Sequence, residues 1–215
     1  MSAEPNPPCQ LYLISPPELE PAAFLPLLTA ALDAGPVAAF QLRLPGADEA
    51  VLRAAIDVLR PEVQRRDIAF LIAGDPALAR ETGCDGVHLE QMPPRFKAAR
   101  AAAGDDLMLG VSCGASRHEA MTAAEEGADY VSFGPLWDTV TKDRPADPLA
   151  LKTLGWWAEM METPCVGVGG VTPDTAAQAV ASGADFLAVV NAVWTHPDGP
   201  AEAVRRLLEA MGTAR

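Results

Sequence analysis

The chain has 215 residues, of which 49% are hydrophobic and 21% charged, so it can build a folded core and is not a disordered acidic tail. Acidic residues outnumber basic ones by 29 to 16, and the net charge of −13 argues against broad binding of nucleic acid or an anionic membrane. The four cysteines lie far apart, which favours a reducing compartment over a disulfide framework. No apolar run approaches the roughly 18 residues of a membrane span, so we expect a cytoplasmic protein.

Eight short apolar runs alternate along the chain with longer stretches rich in alanine and leucine. Most of these runs are continuously apolar, which is typical of strands covered on both faces in a parallel sheet. The predicted strands are 11–14, 37–42, 68–72, 86–89, 107–111, 130–133, 165–168 and 186–190. The predicted helices lie around 21–33, 49–65, 76–82, 94–103, 117–126, 148–161, 173–182 and 200–211.

One helix-to-strand turn recurs in the sequence, as Gly127-Ala-Asp-Tyr130 and Gly183-Ala-Asp-Phe186, with a weaker copy at Gly83-Cys-Asp-Gly86. Eight strand–helix units in about 210 residues match the count of a single (β/α)8 TIM barrel, an α/β fold, near its lower size limit. An open doubly wound sheet is the alternative, but it usually has five or six strands. We predict one barrel domain over 10–212, preceded by a flexible extension over 1–9.

In such a barrel the functional residues follow the carboxyl ends of the strands. The second strand is followed by Arg43 and Pro45, the fourth by Glu90, and the fifth ends at Ser112. The loops after the sixth and seventh strands predict a phosphate site. Gly169 and Gly170 allow backbone N–H groups to approach an anion, and a helix begins at Pro173. A tight barrel turn that binds nothing is the alternative.

The loop after the sixth strand is rich in hydrogen-bond donors. Thr139, Thr141 and Lys142 supply two hydroxyls and an ammonium within four positions, which suits a phosphate or pyrophosphate. The alternative is a solvated polar loop. Convergence of this loop with the glycines at one end of one barrel favours the phosphate site.

These residues together resemble a known family, the thiamine phosphate synthases and their thiazole tautomerase relatives. The resemblance covers nearly the whole chain, and its most specific part is Phe133-Gly-Pro135 with Thr139-Val-Thr141-Lys142. It is also carried by Gln41-Leu-Arg43, Gly86-Val-His-Leu89, Ser112, Gly169-Gly170 and Val189-Val190. The resemblance implies a barrel enzyme that couples a pyrimidine pyrophosphate to a thiazole phosphate and releases pyrophosphate with Mg²⁺ assistance.

The resemblance also implies a role for individual residues. Gln41 and Arg43 would contact the pyrimidine substrate and its pyrophosphate, Ser112 would hydrogen-bond the pyrophosphate, and Lys142 would neutralise the charge that leaves with it. Arg43, Ser112 and Lys142 are therefore the expected catalytic residues. The thiazole phosphate would be surrounded by Thr139, Thr141, Gly169, Val190 and Asn191, and Gly170 is a further expected substrate-binding residue. The family more often has Ser at the position of Asn191.

The departures from the family pattern concern the metal and one lysine. Two family positions that usually carry Mg²⁺-binding aspartates are Gly74 and Pro93, and neither offers a side-chain oxygen. Asp75 and Glu90 lie nearby in sequence and are the candidates for displaced metal ligands; surface acids on loops are the alternative. Pro45 stands where the family usually has a lysine.

Two other functions stay open at this stage. A degenerate relative would bind thiazole phosphate, or a similar heteroaromatic phosphate, without coupling chemistry. A thiazole tautomerase would need a proton shuttle, but its expected histidine position is Pro135. The expected partners are small phosphorylated heteroaromatic substrates and neither nucleic acid nor membrane; the sequence leaves the oligomeric state open. His88 is expected to be buried and structural.

Overall fold

Eight parallel strands form a closed barrel in which each strand pairs with the next and β8 pairs with β1. A computed structural model describes residues 8–93, 96–139 and 145–212. The strands are β1 (Gln10–Ile14), β2 (Ala39–Leu42), β3 (Ala69–Ala73), β4 (Gly86–Leu89), β5 (Met108–Ser112), β6 (Tyr130–Phe133), β7 (Cys165–Val168) and β8 (Phe186–Val189). The predicted (β/α)8 barrel is confirmed.

Helices follow the strands and cover the outside of the barrel. They are α1 (Pro21–Leu32), α2 (Glu49–Gln64), α3 (Pro76–Glu81), α4 (Phe96–Ala103), α5 (Arg117–Glu125), α6 (Ala150–Met160), α7 (Pro173–Ala181), α8 (Asn191–Trp194) and α9 (Pro200–Gly212). Among the elements in the described ranges, the short helix α8 is the one that the apolar pattern did not predict. Within the described ranges, no helix is long and apolar enough to cross a membrane.

The strands are buried on both faces, which explains their continuously apolar sequences. In β1, Leu11 and Leu13 pack outward into the large core shared with the helices, whereas Tyr12 and Ile14 pack inside the barrel. Successive side chains of a strand point to opposite faces, so each strand supplies both layers. The inner layer is small and contains two tyrosines, which leaves polar groups inside the barrel.

The recurring Gly-x-Asp turns lie at the amino ends of β4, β6 and β8. Their aspartates accept hydrogen bonds from backbone N–H groups of the neighbouring strand at 2.7–2.8 Å: Asp85 from Phe70, Asp129 from Leu109 and Asp185 from Cys165. The preceding glycines have positive φ, as helix-ending residues commonly do. The repeated turn therefore stabilises the amino-terminal end of the barrel by joining neighbouring strands.

Candidate functional site

A cavity of about 1030 Å³ opens at the carboxyl ends of the strands and reaches into the barrel interior. It brings together most of the residues predicted for the site, although their positions in the sequence span 150 residues. Those that line it are Gln41, Arg43, Glu90, Ser112, Thr139, Gly169, Gly170, Val190 and Asn191. Thr141 and Lys142 lie outside the described residues.

Arg43 directly follows the carboxyl end of β2 and is held there by contacts to its backbone and its side chain. The hydroxyl of the buried Ser15 accepts from the backbone N–H of Arg43 at 2.9 Å, and its proton is shared between the carbonyls of Pro16 at 3.0 Å and Arg43 at 3.2 Å. The guanidinium Nε donates to Oε1 of Glu90 at 2.7 Å. The terminal nitrogens of Arg43 donate to no residue in the described part of the chain, so they are available to an anion in the cavity.

Glu90 thus supplies a carboxylate that binds Arg43. The two residues are 47 positions apart and come from the ends of β4 and β2. Among the described residues that line the cavity, Arg43 is the cation, and three carboxylates, Glu90, Glu119 and Asp138, line the same cavity.

The loop after β7 meets the loop after β6 through its two glycines. Gly169 and Gly170 have φ of +94° and +66°, in the left-handed region that favours glycine. A Cβ atom on Gly169 would meet Cβ of Pro135 at 2.6 Å, and one on Gly170 would meet Cβ of Trp137 at the same distance. Close packing therefore requires both glycines, which is the role foreseen for a tight turn.

The same glycines also retain donors for a ligand. Their carbonyl oxygens accept from Trp137 N–H at 3.1 Å and from the Thr175 hydroxyl at 3.2 Å. Their own N–H groups bind nothing within the described ranges, and both residues line the cavity. Since α7 begins three residues later, its N-terminal dipole end adds positive potential here. Tight packing and anion binding are compatible at this turn.

Val190 and Asn191 lie where β8 passes into α8. Asn191 is the first residue of this short helix, whose first N–H groups have no intrahelical partner. The helix is tied to β1 by the indole N–H of Trp194, which donates to the carbonyl of Ile14 at 2.7 Å. This places Asn191 and Val190 on the rim beside the glycine turn.

The floor of the cavity carries the polar groups that the sequence analysis missed. Tyr12 and Tyr130 project inside the barrel and hydrogen-bond each other at 3.1 Å. Burial raises the pKa of both hydroxyls above the ordinary tyrosine value, so both stay protonated. Both tyrosines were included in apolar strand runs; the available signal was that a buried tyrosine hydroxyl needs a partner.

His88 is buried, 8% exposed, as predicted, and it lies in this polar floor. Its Nδ1 is 3.0 Å from the Tyr130 hydroxyl and its Nε2 is 2.9 Å from Ser112 Oγ. The ring also stacks on Tyr130, with centroids 5.6 Å apart. Gly110 makes room for this arrangement, because a Cβ there would collide with the ring of Tyr130.

The metal positions implied by the resemblance lack side-chain ligands here. Gly74 and Pro93 do not line the cavity, and Asp75 is the N-cap of α3, where Oδ1 accepts from Ala77 N–H at 2.8 Å. Glu90 is bound to Arg43. In the described ranges no group of three or more His, Cys, Asp or Glu side chains is placed to hold a metal ion. At these four positions the described residues therefore offer no preformed Mg²⁺ site.

Fold and cavity together define a (β/α)8-barrel protein with its binding site at the strand carboxyl ends, the usual position for enzymes of this fold. Comparison with known proteins specifies the family. Residues 11–193 match the family described as thiamine monophosphate synthase, and the chain belongs to that family.

Relatives and solved structures agree with this membership. The chain is 56% identical over 199 residues to a thiamine-phosphate synthase of Rhodospirillum centenum, covering 91% of this chain and 94% of the relative. It is 44% identical to a thiamine-phosphate synthase of Hyphomonas neptunium, covering 95% and 94% of the two chains. A solved thiamine phosphate pyrophosphorylase from Pyrococcus furiosus superposes with a TM-score of 0.82 at 26% identity, covering 95% and 96%.

Proposed function

We propose that this protein couples hydroxymethylpyrimidine pyrophosphate to thiazole phosphate, forming thiamine phosphate and releasing pyrophosphate. The observation that carries the proposal is the single cavity in which Gln41, Arg43, Ser112 and the Gly169–Gly170 turn meet. These are the residues to which the family resemblance assigns the two substrates. The curated relatives named thiamine-phosphate synthase support the same activity.

The pyrophosphate half of the reaction is assigned to the β2 and β5 ends of the cavity. Arg43 offers its terminal nitrogens, and Ser112 offers a hydroxyl that lines the same cavity. The bond between the pyrimidine methylene carbon and the pyrophosphate oxygen breaks, and its electron pair leaves with the oxygen. Cationic and hydroxyl donors stabilise that developing charge, which is where electrostatic catalysis contributes most.

The thiazole phosphate is assigned to the opposite rim. The N–H groups of Gly169 and Gly170, the Thr139 side chain and the start of α8 at Asn191 surround one corner of the cavity. A phosphate bound there holds the thiazole nitrogen towards the pyrimidine carbon, to which it forms the new C–N bond. Orientation of two substrates in one cavity removes much of the entropic barrier to their reaction.

Lys142 is assigned to the leaving pyrophosphate by resemblance, and its ammonium would add a second cation to Arg43. Glu90, Glu119 and Asp138 line the same cavity as Arg43, so a second cation would favour a polyanionic substrate. Gly74 and Pro93 offer no side-chain ligand for Mg²⁺, so charge stabilisation is assigned to the protein's own donors.

The test is the formation of thiamine phosphate from the two substrates, with Mg²⁺ and with excess chelator. We expect product, and we expect Lys142→Ala to lower kcat/KM by roughly 100-fold or more, as loss of a transition-state donor does. Lys97→Ala is the matched control, since Lys97 is an exposed lysine on α4. Absence of product from the wild-type protein under both conditions would overturn the proposal.

A further inference from the structure

Six side chains form a continuous chain of hydrogen bonds across the barrel floor, from Ser132 to Gln41. They come from five strands and are buried or lie on the cavity wall. The links are Ser132 Oγ to Ser112 Oγ at 3.1 Å, Ser112 Oγ to His88 Nε2 at 2.9 Å, His88 Nδ1 to Tyr130 OH at 3.0 Å, Tyr130 OH to Tyr12 OH at 3.1 Å, and Tyr12 OH to Gln41 Oε1 at 3.2 Å.

The direction of this chain follows from counting protons at the Gln41 end. The amide oxygen of Gln41 can only accept, so the single proton of the Tyr12 hydroxyl is donated to it. Tyr12 oxygen must then accept from Tyr130, which uses the single proton of Tyr130. The oxygen of Tyr130 is therefore an acceptor towards His88, and Nδ1 of His88 carries a hydrogen.

The same count of protons also determines the hydrogen bond between His88 and Ser112. A neutral imidazole carries one N–H, so when Nδ1 is protonated, Nε2 is an acceptor and the Ser112 hydroxyl donates to it. Ser132 in turn donates to Ser112. In this arrangement the proton of Ser112 is committed to His88, and Ser112 has none to offer to an anion in the cavity.

We infer that an anion bound at Ser112 reverses the direction of this chain from Ser112 to Gln41. Ser112 then donates to the anion and accepts from Nε2–H of His88, while Nδ1 accepts from Tyr130 and Tyr130 accepts from Tyr12. Gln41 turns its amide so that Nε2 donates to Tyr12 and Oε1 is released to the cavity. His88, Tyr130 and Tyr12 are thereby positioning residues.

The reversal is balanced, because both arrangements hold the same protons and the same charge. Each hydroxyl keeps one hydrogen, and the imidazole keeps one that has moved from Nδ1 to Nε2 by exchange with water. The raised pKa of both tyrosines is consistent with hydroxyls that stay protonated throughout. Gln41 must turn its amide for the chain to reverse. The free-energy cost of that turn therefore couples anion binding at Ser112 to the orientation of Gln41.

The consequence is a preference for one class of ligand. An anion at Ser112 makes Gln41 present a carbonyl oxygen instead of an NH₂ group, so the site favours an anion that is joined to an N–H donor, such as an amino-substituted heteroaromatic ring. This inference rests on the proposed function, which places the substrate pyrophosphate at Ser112. It adds a coupling between recognition of the pyrophosphate and recognition of the ring.

The direct test is the tautomer of His88, read by NMR of the imidazole nitrogens in full-length protein labelled with ¹⁵N-histidine. The chain has three histidines, and His118 and His196 serve as internal references. We expect an Nδ1–H tautomer in the ligand-free protein and an Nε2–H tautomer with saturating inorganic pyrophosphate. In Ser112→Ala, pyrophosphate should leave the tautomer unchanged.

Two tyrosine variants separate this inference from a merely structural role. In Tyr12→Phe, Tyr130 no longer has an acceptor at Tyr12 and turns to Nδ1, which frees the Ser112 proton without moving Gln41. Affinity for inorganic pyrophosphate should then rise roughly three- to tenfold, the worth of one hydrogen bond, whereas damage to the barrel would lower it. In Tyr130→Phe, ligand-free His88 should already be the Nε2–H tautomer.

Three results would overturn the reversal. The first is an Nε2–H tautomer of His88 without ligand, and the second is a tautomer that does not respond to pyrophosphate. The third is a His88 ring protonated on both nitrogens, because such a ring would leave the hydrogen bonds from Tyr130 to Gln41 in their original direction. None of these readouts requires catalysis. An active enzyme with an unresponsive tautomer therefore refutes the reversal alone, and an inactive protein whose tautomer inverts refutes only the proposed function.

Discussion

Removal of the negative charge of Glu90 is expected to tighten binding of the pyrimidine pyrophosphate. Glu90 binds Nε of Arg43 at 2.7 Å and leaves the terminal nitrogens for the substrate. A phosphate oxygen bound there lies about 6 Å from the carboxylate, since a hydrogen bond of about 2.8 Å extends from each side of the guanidinium. The two anions therefore repel each other across Arg43.

The size of this repulsion follows from the distance and the exposure of the pair. Two unit charges at about 6 Å interact by about 0.7 kcal/mol in water and about 2.8 kcal/mol at an effective dielectric constant of about 20. The side chain of Arg43 is 13% exposed and that of Glu90 is 39% exposed, so we expect a value near the lower limit, about 1 kcal/mol. Glu90→Gln should therefore lower KM for the pyrophosphate substrate about fivefold.

Steady-state kinetics at several ionic strengths measure this effect. The amide oxygen of Gln still accepts from Nε, so kcat should change less than about twofold, and the KM difference should shrink as salt screens the charges. Glu209→Gln, an exposed position on α9, controls for the change in net charge. A KM that is unchanged or higher in Glu90→Gln would show that the carboxylate assists substrate binding, and the electrostatic reasoning would be wrong.

Three further predictions concern stability and the metal. Asp185→Ala leaves the buried N–H of Cys165 without its acceptor. It should lower the free energy of unfolding by about 1–3 kcal/mol and Tm by about 2–12 °C in a thermal melt. Asp57→Ala, at an exposed position, is the control and should melt near wild type. Arg65 and Arg66 beside Glu62 lower the pKa of that carboxyl to about 2, so its contribution to stability is full above the unfolded value of about 4.5 and is lost as pH falls through about 2. Urea titrations should show that Glu62→Gln loses less free energy of unfolding than wild type between pH 4.5 and pH 2. An equal loss in both proteins would refute the stabilising role of the Glu62 carboxylate. Millimolar Mg²⁺ without substrate should shift Tm by less than about 1 °C, and a larger shift would reveal a metal site that the described residues do not contain.

Much of the fold could be predicted because a parallel barrel strand is covered on both faces. Runs such as 130–133 and 165–168 are continuously apolar for that reason, and they match β6 and β7 residue for residue. The second strand was predicted two residues too early, at 37 instead of Ala39, because Val37 is buried just before the ladder begins. Helix α8 was missed because four residues are too few to show a helical period.

The candidate site was predictable wherever position along the chain decides position in space. The carboxyl ends of the barrel strands lie at one end of the barrel, so the cavity-lining residues Gln41, Arg43 and Ser112 could be named from sequence, as could Gly169 and Gly170. The family resemblance supplied the roles proposed for them.

Position along the chain does not determine which side chains meet across the barrel. The Arg43–Glu90 pair joins two strand ends 47 residues apart, and the Tyr12–Tyr130 hydrogen bond joins residues 118 apart. The sequence alone determined the alternation of strands and helices, because the local pattern of apolar residues shows which faces of each element are buried. Only closure of the barrel decided the partners of its inward side chains, because the closed ring brings non-adjacent strands to face one another and confines their polar groups where each must find a hydrogen bond.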